Sequence, residues 1–260
     1  MTLPPLGYPL AAAVTPRLHL IDSTPSTNAK LLHDAEVDPD AHPHLAAVVT
    51  TDQTAGRGRL DRSWVTPPGS ALAISVVLRV AAVADADRGW IPLVAGAAMA
   101  RAVGAQLDGA GLKWPNDVLV GEGAAARKIS GILAEVLPGD PQTVVVGAGV
   151  NTAMTAEQLP VETAMSFAVL GKTSDDDRLL ADYLTGLRDL IAELALGGGE
   201  AVRGAVEAQC RTLGTEVTVS LPDGTTTGGR AVRLDPAGRL VLEREGVESV
   251  VAAGDIVHAR

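Results

Sequence analysis

The sequence predicts an α+β protein, in which a mixed, largely antiparallel sheet with flanking helices is followed by a small β barrel. Three observations carry this. Apolar, β-branched runs at 45–51, 70–80, 112–120, 128–137 and 143–150 recur, and the last three follow one another through short connections that favour antiparallel pairing. Helical spacing of apolar residues is confined to a few stretches, chiefly 89–107 and 175–213. After Leu213 the pattern changes to short strands separated by Pro-Asp-Gly, Gly-Gly and Pro-Ala-Gly turns, which marks a domain boundary.

Residues 1–16 read as an N-terminal tail. Arg17 to Asp22 alternates enough for a short strand, and residues 28–35 read as a helix capped by Ser26 or Thr27. The runs 45–51 and 70–80 have the composition of buried strands, and they flank a glycine- and arginine-rich loop. In the helix at 89–107, Leu93, Val94, Met99 and Val103 are spaced for burial, and Pro92 is tolerated because it falls in the first turn. Residues 112–120, 128–137 and 143–150 form a meander joined by Gly-Glu-Gly and Pro-Gly-Asp-Pro turns. Asp175, Asp176 and Asp177 suit the first turn of a helix that runs to about Leu196. A second helix, 200–213, is expected after Gly197-Gly198-Gly199. The larger domain is therefore placed at 17–213, and a small barrel packed on it at 214–260.

With 260 residues and 47% hydrophobic content, the chain buries a substantial core. A net charge of −10 argues against a protein that coats nucleic acid, so any anionic ligand must be met by a local cluster of cations. Cys210 is the only cysteine, which excludes a disulfide framework and a cysteine-rich metal site and suits a reducing cytosol. The N-terminus lacks the early positive charge of a secretion signal. The apolar stretch 71–84 is interrupted by Arg79 and falls short of the roughly twenty residues a membrane span needs. The expectation is a cytoplasmic protein with no membrane partner.

Residues 52–64, Asp-Gln-Thr-Ala-Gly-Arg-Gly-Arg-Leu-Asp-Arg-Ser-Trp, have the composition of an anion-closing loop. Gly56 and Gly58 allow backbone N–H groups to turn toward a ligand. Arg57 and Arg59 supply planar forks that match carboxylate and phosphate oxygens, and Trp64 offers a flat apolar face. Four further clusters accompany it: Ser26-Thr27-Asn28, Lys113-Trp114-Pro115-Asn116-Asp117, residues 127–135 (Arg-Lys-Ile-Ser-Gly-Ile-Leu-Ala-Glu), and Gly147-Ala148-Gly149-Val150-Asn151. The Gly-x-Gly of the last is not a dinucleotide fingerprint, because no helix with a third glycine follows. The five histidines show no metal-ligand spacing.

In order and spacing these clusters closely resemble the biotin protein ligases, from about residue 17 to the C-terminus. The resemblance implies a catalytic fold like that of the class II aminoacyl-tRNA synthetases with an SH3-like terminal barrel. It implies a reaction in which biotin and MgATP give biotinyl-5′-AMP and pyrophosphate. The biotinyl group then passes to one lysine of the biotin carboxyl carrier domain of acetyl-CoA carboxylase. Attack of a carboxylate on the α-phosphate joins two anions, so fixed cations must offset their repulsion. By matching motif positions, Arg57, Lys128 and Asp117 are the expected catalytic residues, with Asp117 receiving the acceptor lysine. The resemblance assigns biotin to Ser26, Thr27, Gln53, Gly56, Arg57, Gly58, Arg59, Lys128 and Gly131. It assigns ATP and the adenylate to Arg57, Arg59, Trp64, Asn116, Asp117, Lys128 and Asn151, with Mg²⁺ accompanying ATP rather than held in a protein cage.

A second Ser-Thr pair, Ser23-Thr24, leaves two registers open; Ser26 and Thr27 are preferred because the helix follows them directly, whereas Pro25 forces Thr24 out of helical geometry. Trp64 and Trp114 serve equally as core, and Asn116 and Asp117 as turn formers. A lipoate ligase of the same architecture is the nearest alternative. A repressor form needs an N-terminal helix-turn-helix, for which the sixteen residues before the first strand are too few, so no DNA binding is expected.

Overall fold

A computed structural model describes residues 4, 6–60 and 62–258, so part of the N-terminal tail, Asp61 and the last two residues of the terminal segment lie outside the described residues. Helix α1 (Pro9–Val14) and strand β1 (Leu18–Leu20) lead into helix α2 (Thr27–Val37). Strand β2 (Ala47–Thr50) is joined to β5 (Ala71–Arg79) through a small hairpin of β3 (Gly56–Arg57) and β4 (Ser63–Trp64). A 3₁₀ turn (Asp85–Trp90) enters helix α3 (Ile91–Gly104). Strands β6 (Ala110–Lys113), β7 (Asp117–Val120), β8 (Arg127–Leu137) and β9 (Asp140–Asn151) follow, then the long helix α4 (Asp176–Glu207).

One sheet in the order β1-β2-β5-β9-β8-β7-β6 organises this part, with β1 parallel to β2 and the other pairs antiparallel. One face is covered by α3, α4 and α1 around Trp90, Leu93, Met99, Phe167 and Tyr183. On the other face α2 packs Leu31 and Ala35 against Val48, Val77 and Val145. Strands β8 and β9 are long enough to extend beyond α2, and this open floor carries the site.

The remaining strands, β10 (Glu216–Ser220), β11 (Thr226–Leu234), β12 (Leu240–Arg244), β13 (Val247–Val251) and β14 (Asp255–His258), form an antiparallel sheet in the order β13-β12-β11-β10-β14. It is tied to the larger sheet by two indoles. Trp90 Nε1 donates to the Pro236 carbonyl at 2.8 Å and Trp114 Nε1 to the Gly238 carbonyl at 3.2 Å, so one turn of the small sheet is gripped from two sides. Arg203 of α4 stacks on Trp90 and donates to the Leu234 carbonyl.

Two elements differ from the sequence-based expectation. The run 112–120 is two strands joined by a turn at Trp114-Pro115-Asn116, whose Trp114–Pro115 bond is cis. Residues 9–14, inside the expected N-terminal tail, form helix α1, which buries Ala11 in the core beside α4. The helices expected on either side of Gly197-Gly198-Gly199 are both present: α4 is two helical segments that meet at Gly198, whose φ of 65° and ψ of −164° are not helical. These glycines are contact residues rather than a linker: Gly199 N donates to Asp87 Oδ1 at 3.0 Å, and a side chain at Gly199 would collide with the Trp90 indole. The acidic run does cap helices, and more than one. Asp175 Oδ1 accepts from Arg178 N at the start of α4, while the Asp177 carboxylate accepts from Leu10 N and Ala11 N at the start of α1.

Candidate active site

A cavity of about 130 Å³ lies between the floor of β8 and β9, the start of α2, the β3-β4 hairpin and the β6-β7 turn. Its floor is made of glycines because side chains would fill it. A Cβ at Gly149 would stand 2.5 Å from the Trp64 ring, one at Gly131 would stand 2.9 Å from Lys128 Nζ, and one at Gly147 would strike Asn28 Oδ1.

Helix α2 opens the cavity's inner end. Ser26, in extended conformation, caps the helix by accepting from Ala29 N, which places Thr27 and Asn28 in the first turn facing β5 and β8. Thr27 N and Oγ1 lie 2.8 and 3.0 Å from Gln53 Oε1, and Thr27 Oγ1 lies 2.8 Å from the fully buried Ser75 Oγ. Of the two Ser-Thr registers, Ser26-Thr27 is the pair that lines the cavity; Ser23 is exposed, and Thr24 N and O bond to backbone of Asp52 and Thr54.

The glycine-arginine loop is folded as a hairpin in which Gly56 pairs with Trp64 and Arg57 with Ser63. Each arginine has its own partner. Arg57 Nη2 donates to Glu135 Oε2 at 2.9 Å, Arg59 Nη1 donates to Asn116 Oδ1 at 2.9 Å, and Arg62 pairs with Asp255 of β14. Asn116 is itself fixed, its Nδ2 donating to the Ile132 carbonyl at 2.8 Å. Trp64 lies on the glycine floor with its Nε1 buried and without a hydrogen-bond partner, and Lys128 Nζ stands 5.7 Å from the centre of its ring.

Lys128 Nζ also contacts Asp117 Oδ1 at 2.6 Å. Lys113, on the strand before that turn, is held below the usual lysine range by burial, which the charge of Asp117 opposes. Burial likewise lowers Arg59, against the pull of Asp255 and Asp117. Arg57, Arg59, Arg62 and Lys128 thus line one cavity in a chain of net charge −10, which is the local cation cluster that an anionic ligand requires.

Most of the sequence-predicted residues meet here: Ser26, Thr27, Gln53, Arg57, Gly58 and Arg59 from the first half, and Trp64, Asn116, Asp117, Lys128 and Gly131 after them. Gly56 lies within the hairpin but outside this lining, where a Cβ would collide with Trp64 and Gln53. Asn151 is buried at the end of β9, outside this lining, with Nδ2 donating to the Met165 carbonyl at 2.9 Å. Sequence reasoning missed Asp255, which reaches the cavity from the terminal sheet, and Ser75, which reads as an ordinary strand residue. Glu135 lay inside a quoted motif but was given no role.

Residues 20–151 match the biotin/lipoate A/B protein ligase family, and residues 212–259 match the biotin protein ligase C-terminal domain. The biotin–[acetyl-CoA-carboxylase] ligase of Mycobacterium tuberculosis is 36% identical over 94% of this chain and 90% of its own length. That of Paracoccus denitrificans is 31% identical over 91% of this chain and 98% of its own. Among solved structures, a biotin protein ligase from Aquifex aeolicus in complex with biotin and ATP superposes with a TM-score of 0.77, covering 94% of this chain and 99% of that one; at 24% identity this is a likeness of fold. On these matches the chain belongs to the biotin protein ligase family.

Proposed function

We propose that the protein is an ATP-dependent ligase that forms biotinyl-5′-AMP and transfers biotin to a lysine of the biotin carboxyl carrier domain of acetyl-CoA carboxylase. The observation that carries this is the convergence of Arg57, Arg59 and Lys128 on a cavity whose inner end is lined by neutral hydrogen-bonding groups, Thr27, Asn28 and Gln53. A ligand with an uncharged polar head and an anionic tail fits that division, and biotin has this form.

In this reading the ureido head takes the inner end and the valerate carboxylate lies near Lys128, where Arg57 and Arg59 also offset the charge that grows as it attacks the α-phosphate. Trp64 closes over the linkage and limits attack by water. The adenylate side is assigned to Arg59, Asn116 and Asp117, with Asn151 offering its Oδ1 and second N–H to the base. Lys128 must leave Asp117 to reach the ligand's oxygens, and the freed carboxylate then receives the ammonium of the acceptor lysine and takes its proton. Among the described residues no group of three His, Cys, Asp or Glu is arranged to hold a metal, and Mg²⁺ is assigned to the ATP phosphates. Catalysis is assigned to 17–213, with 214–260 as the small second domain. No described helix is long and apolar enough to cross a membrane, and we place the enzyme in the cytoplasm without a DNA-binding role.

The test is mass spectrometry of an isolated biotin carrier domain incubated with the protein, biotin and MgATP, beside a lipoyl domain incubated with lipoate. A biotin-sized gain on the carrier alone is expected. Modification of the lipoyl domain instead would overturn the substrate.

A further inference from the structure

Lys128 points into the cavity against the alternation of its own strand. Successive side chains of a strand face opposite sides of the sheet, so Lys128 and Gly131, three positions apart, belong on opposite faces of a regular β8. Yet both line the cavity, and a Cβ at Gly131 would stand 2.9 Å from Lys128 Nζ. A β-bulge removes the contradiction. Lys128 pairs with Leu119 of β7 and Ser130 with Val118, so Ile129 is left without a partner on β7. Ile129 and Ser130 are both fully buried, Ile129 in the core with Val118 and Ile132. The extra residue turns Lys128 onto the cavity face, as bulges re-aim side chains beside active sites.

A bulge disrupts the ladder on one side of its strand, and here the neighbour on the other side gives out as well. The β8–β9 ladder ends with Ser130 opposite Val150, and β9 itself ends at Asn151. The place beside Lys128 is filled by residues 163–165, which return parallel to β8. Lys128 N donates to the Thr163 carbonyl at 2.7 Å, and Met165 N donates to the Lys128 carbonyl at 2.7 Å. Both backbone groups of Lys128 are thus held by a segment far along the chain. Asn151 in turn holds that segment. This residue is 4% exposed; its Nδ2 donates to the Met165 carbonyl at 2.9 Å, and its own carbonyl accepts from Phe167 N at 3.2 Å. A second hold comes from the fully buried Ser166, whose Oγ donates to the Met154 carbonyl at 2.6 Å and accepts from Val169 N at 3.1 Å.

We infer that Asn151 is a positioning residue for Lys128: through the Met165 carbonyl it seats residues 163–165 on the backbone of the bulge that aims Lys128 into the cavity. The inference rests on the proposed function, in which Lys128 meets the carboxylate and phosphate oxygens. It gives Asn151 an effect on the rate of adenylation that is separate from any contact with the base, because the N–H spent on Met165 is not offered to a nucleotide. Displacing a charge-stabilising group by about 1 Å costs on the order of a hundredfold in rate.

Two measurements test this in Asn151→Ala, Ser166→Ala, Lys128→Met and the Lys128→Met/Asn151→Ala double variant. The first is amide hydrogen exchange in the ligand-free protein. Protection of the Lys128 and Met165 amides falls about tenfold or more in Asn151→Ala and Ser166→Ala, while Ile74 and Val146 at the centre of the sheet change little. The second is adenylate formation followed as pyrophosphate release, with biotin and ATP varied separately. Asn151→Ala lowers kcat by about tenfold to a hundredfold, and Ser166→Ala, which lies outside the cavity lining, lowers kcat by about fivefold with KM for ATP within about twofold. Adding Asn151→Ala to Lys128→Met costs less than about twofold further in kcat, because its effect passes through Lys128. A residue that only contacts the base predicts instead that Asn151→Ala raises KM for ATP and keeps kcat and exchange unchanged. That result, or kcat losses that multiply in the double variant, overturns the inference. If Asn151→Ala does not fold, Ser166→Ala decides by the same two measurements. A wild-type protein that forms no adenylate from biotin removes the ligase reading itself, whereas normal wild-type adenylation with unaltered exchange and kcat in the variants removes only the positioning role.

Discussion

Arg62, in the hairpin turn over the cavity, pairs with Asp255 of the terminal sheet, 193 residues further along the chain, and Asp255 also lies 4.0 Å from Arg59 Nη1. The small sheet therefore holds the loop that covers the site. Exposed pairs of this kind contribute roughly 0.2–1 kcal/mol. Asp255→Asn is expected to raise KM for ATP by up to about fivefold and to increase release of free adenylate, with a smaller change in KM for biotin. Steady-state kinetics and adenylate hydrolysis check this; unchanged values for both would show that the loop closes without the terminal sheet.

The contact between Lys128 Nζ and Asp117 Oδ1 separates the two half-reactions. Lys128→Met should slow adenylate formation by about a hundred- to a thousandfold, the loss expected on removing one preorganised donor. Asp117→Asn should form adenylate within a few-fold of wild type but transfer it to the carrier about a hundredfold more slowly, since only the second step needs a base for the acceptor ammonium. Supplying preformed adenylate isolates the transfer step, and wild-type transfer by Asp117→Asn would remove its assigned role.

How far the sequence speaks for this site depends on whether the cause is local. Ser26 and Thr27 were legible because a cap and the helix it starts are neighbours in sequence, and the loop because its glycines and arginines are contiguous. The hairpin at 110–120 was hidden within one apolar run, since β6 (Ala-Gly-Leu-Lys) and β7 (Asp-Val-Leu-Val) are short and only the Trp114-Pro115-Asn116 turn divides them. Gly198 reads as a breaker from sequence and does interrupt α4, because the cause is local, whereas the packing of Asp87 and Trp90 against Gly198 and Gly199 that fixes the break has no local signal. Asp255 and Ser75 owe their importance wholly to partners far along the chain, Arg62 for one and Asn28 for the other. Neither carries a local signal.

The two indoles that grip the turn at residues 235–238 should matter for stability and for the site together. Trp90 is fully buried, and Trp90→Phe leaves the Pro236 carbonyl without its donor and Arg203 without its indole. A loss of about 1–3 kcal/mol is expected in denaturant unfolding. Because the same turn carries the Gly238 contact to Trp114, adding Trp114→Phe should cost less than the sum of the single changes. Trp90→Phe should also raise KM for ATP in the direction of Asp255→Asn. A destabilised protein with an unaltered KM would separate docking of the terminal sheet from the loop.

His44 gives the fold an acid-sensitive point away from the site. Its Nδ1 accepts the backbone N–H of Arg79 at 3.1 Å, so the ring must be neutral on that side. Burial first, and the nearby Arg79 charge second, hold its pKa below the ordinary value of 6.5. The unfolded chain therefore binds a proton that the folded one resists. This histidine costs nothing well above pH 6.5, and stability is lost as pH falls through 6.5 toward the lowered folded value, where the loss levels off. Burial lowers His19 as well, which adds loss in the same direction. His44→Asn keeps an acceptor near the Arg79 N–H and does not titrate. Its urea midpoint should fall less than that of wild type between about pH 7 and pH 5. Equal slopes for the two proteins would show that protonation of His44 does not oppose folding.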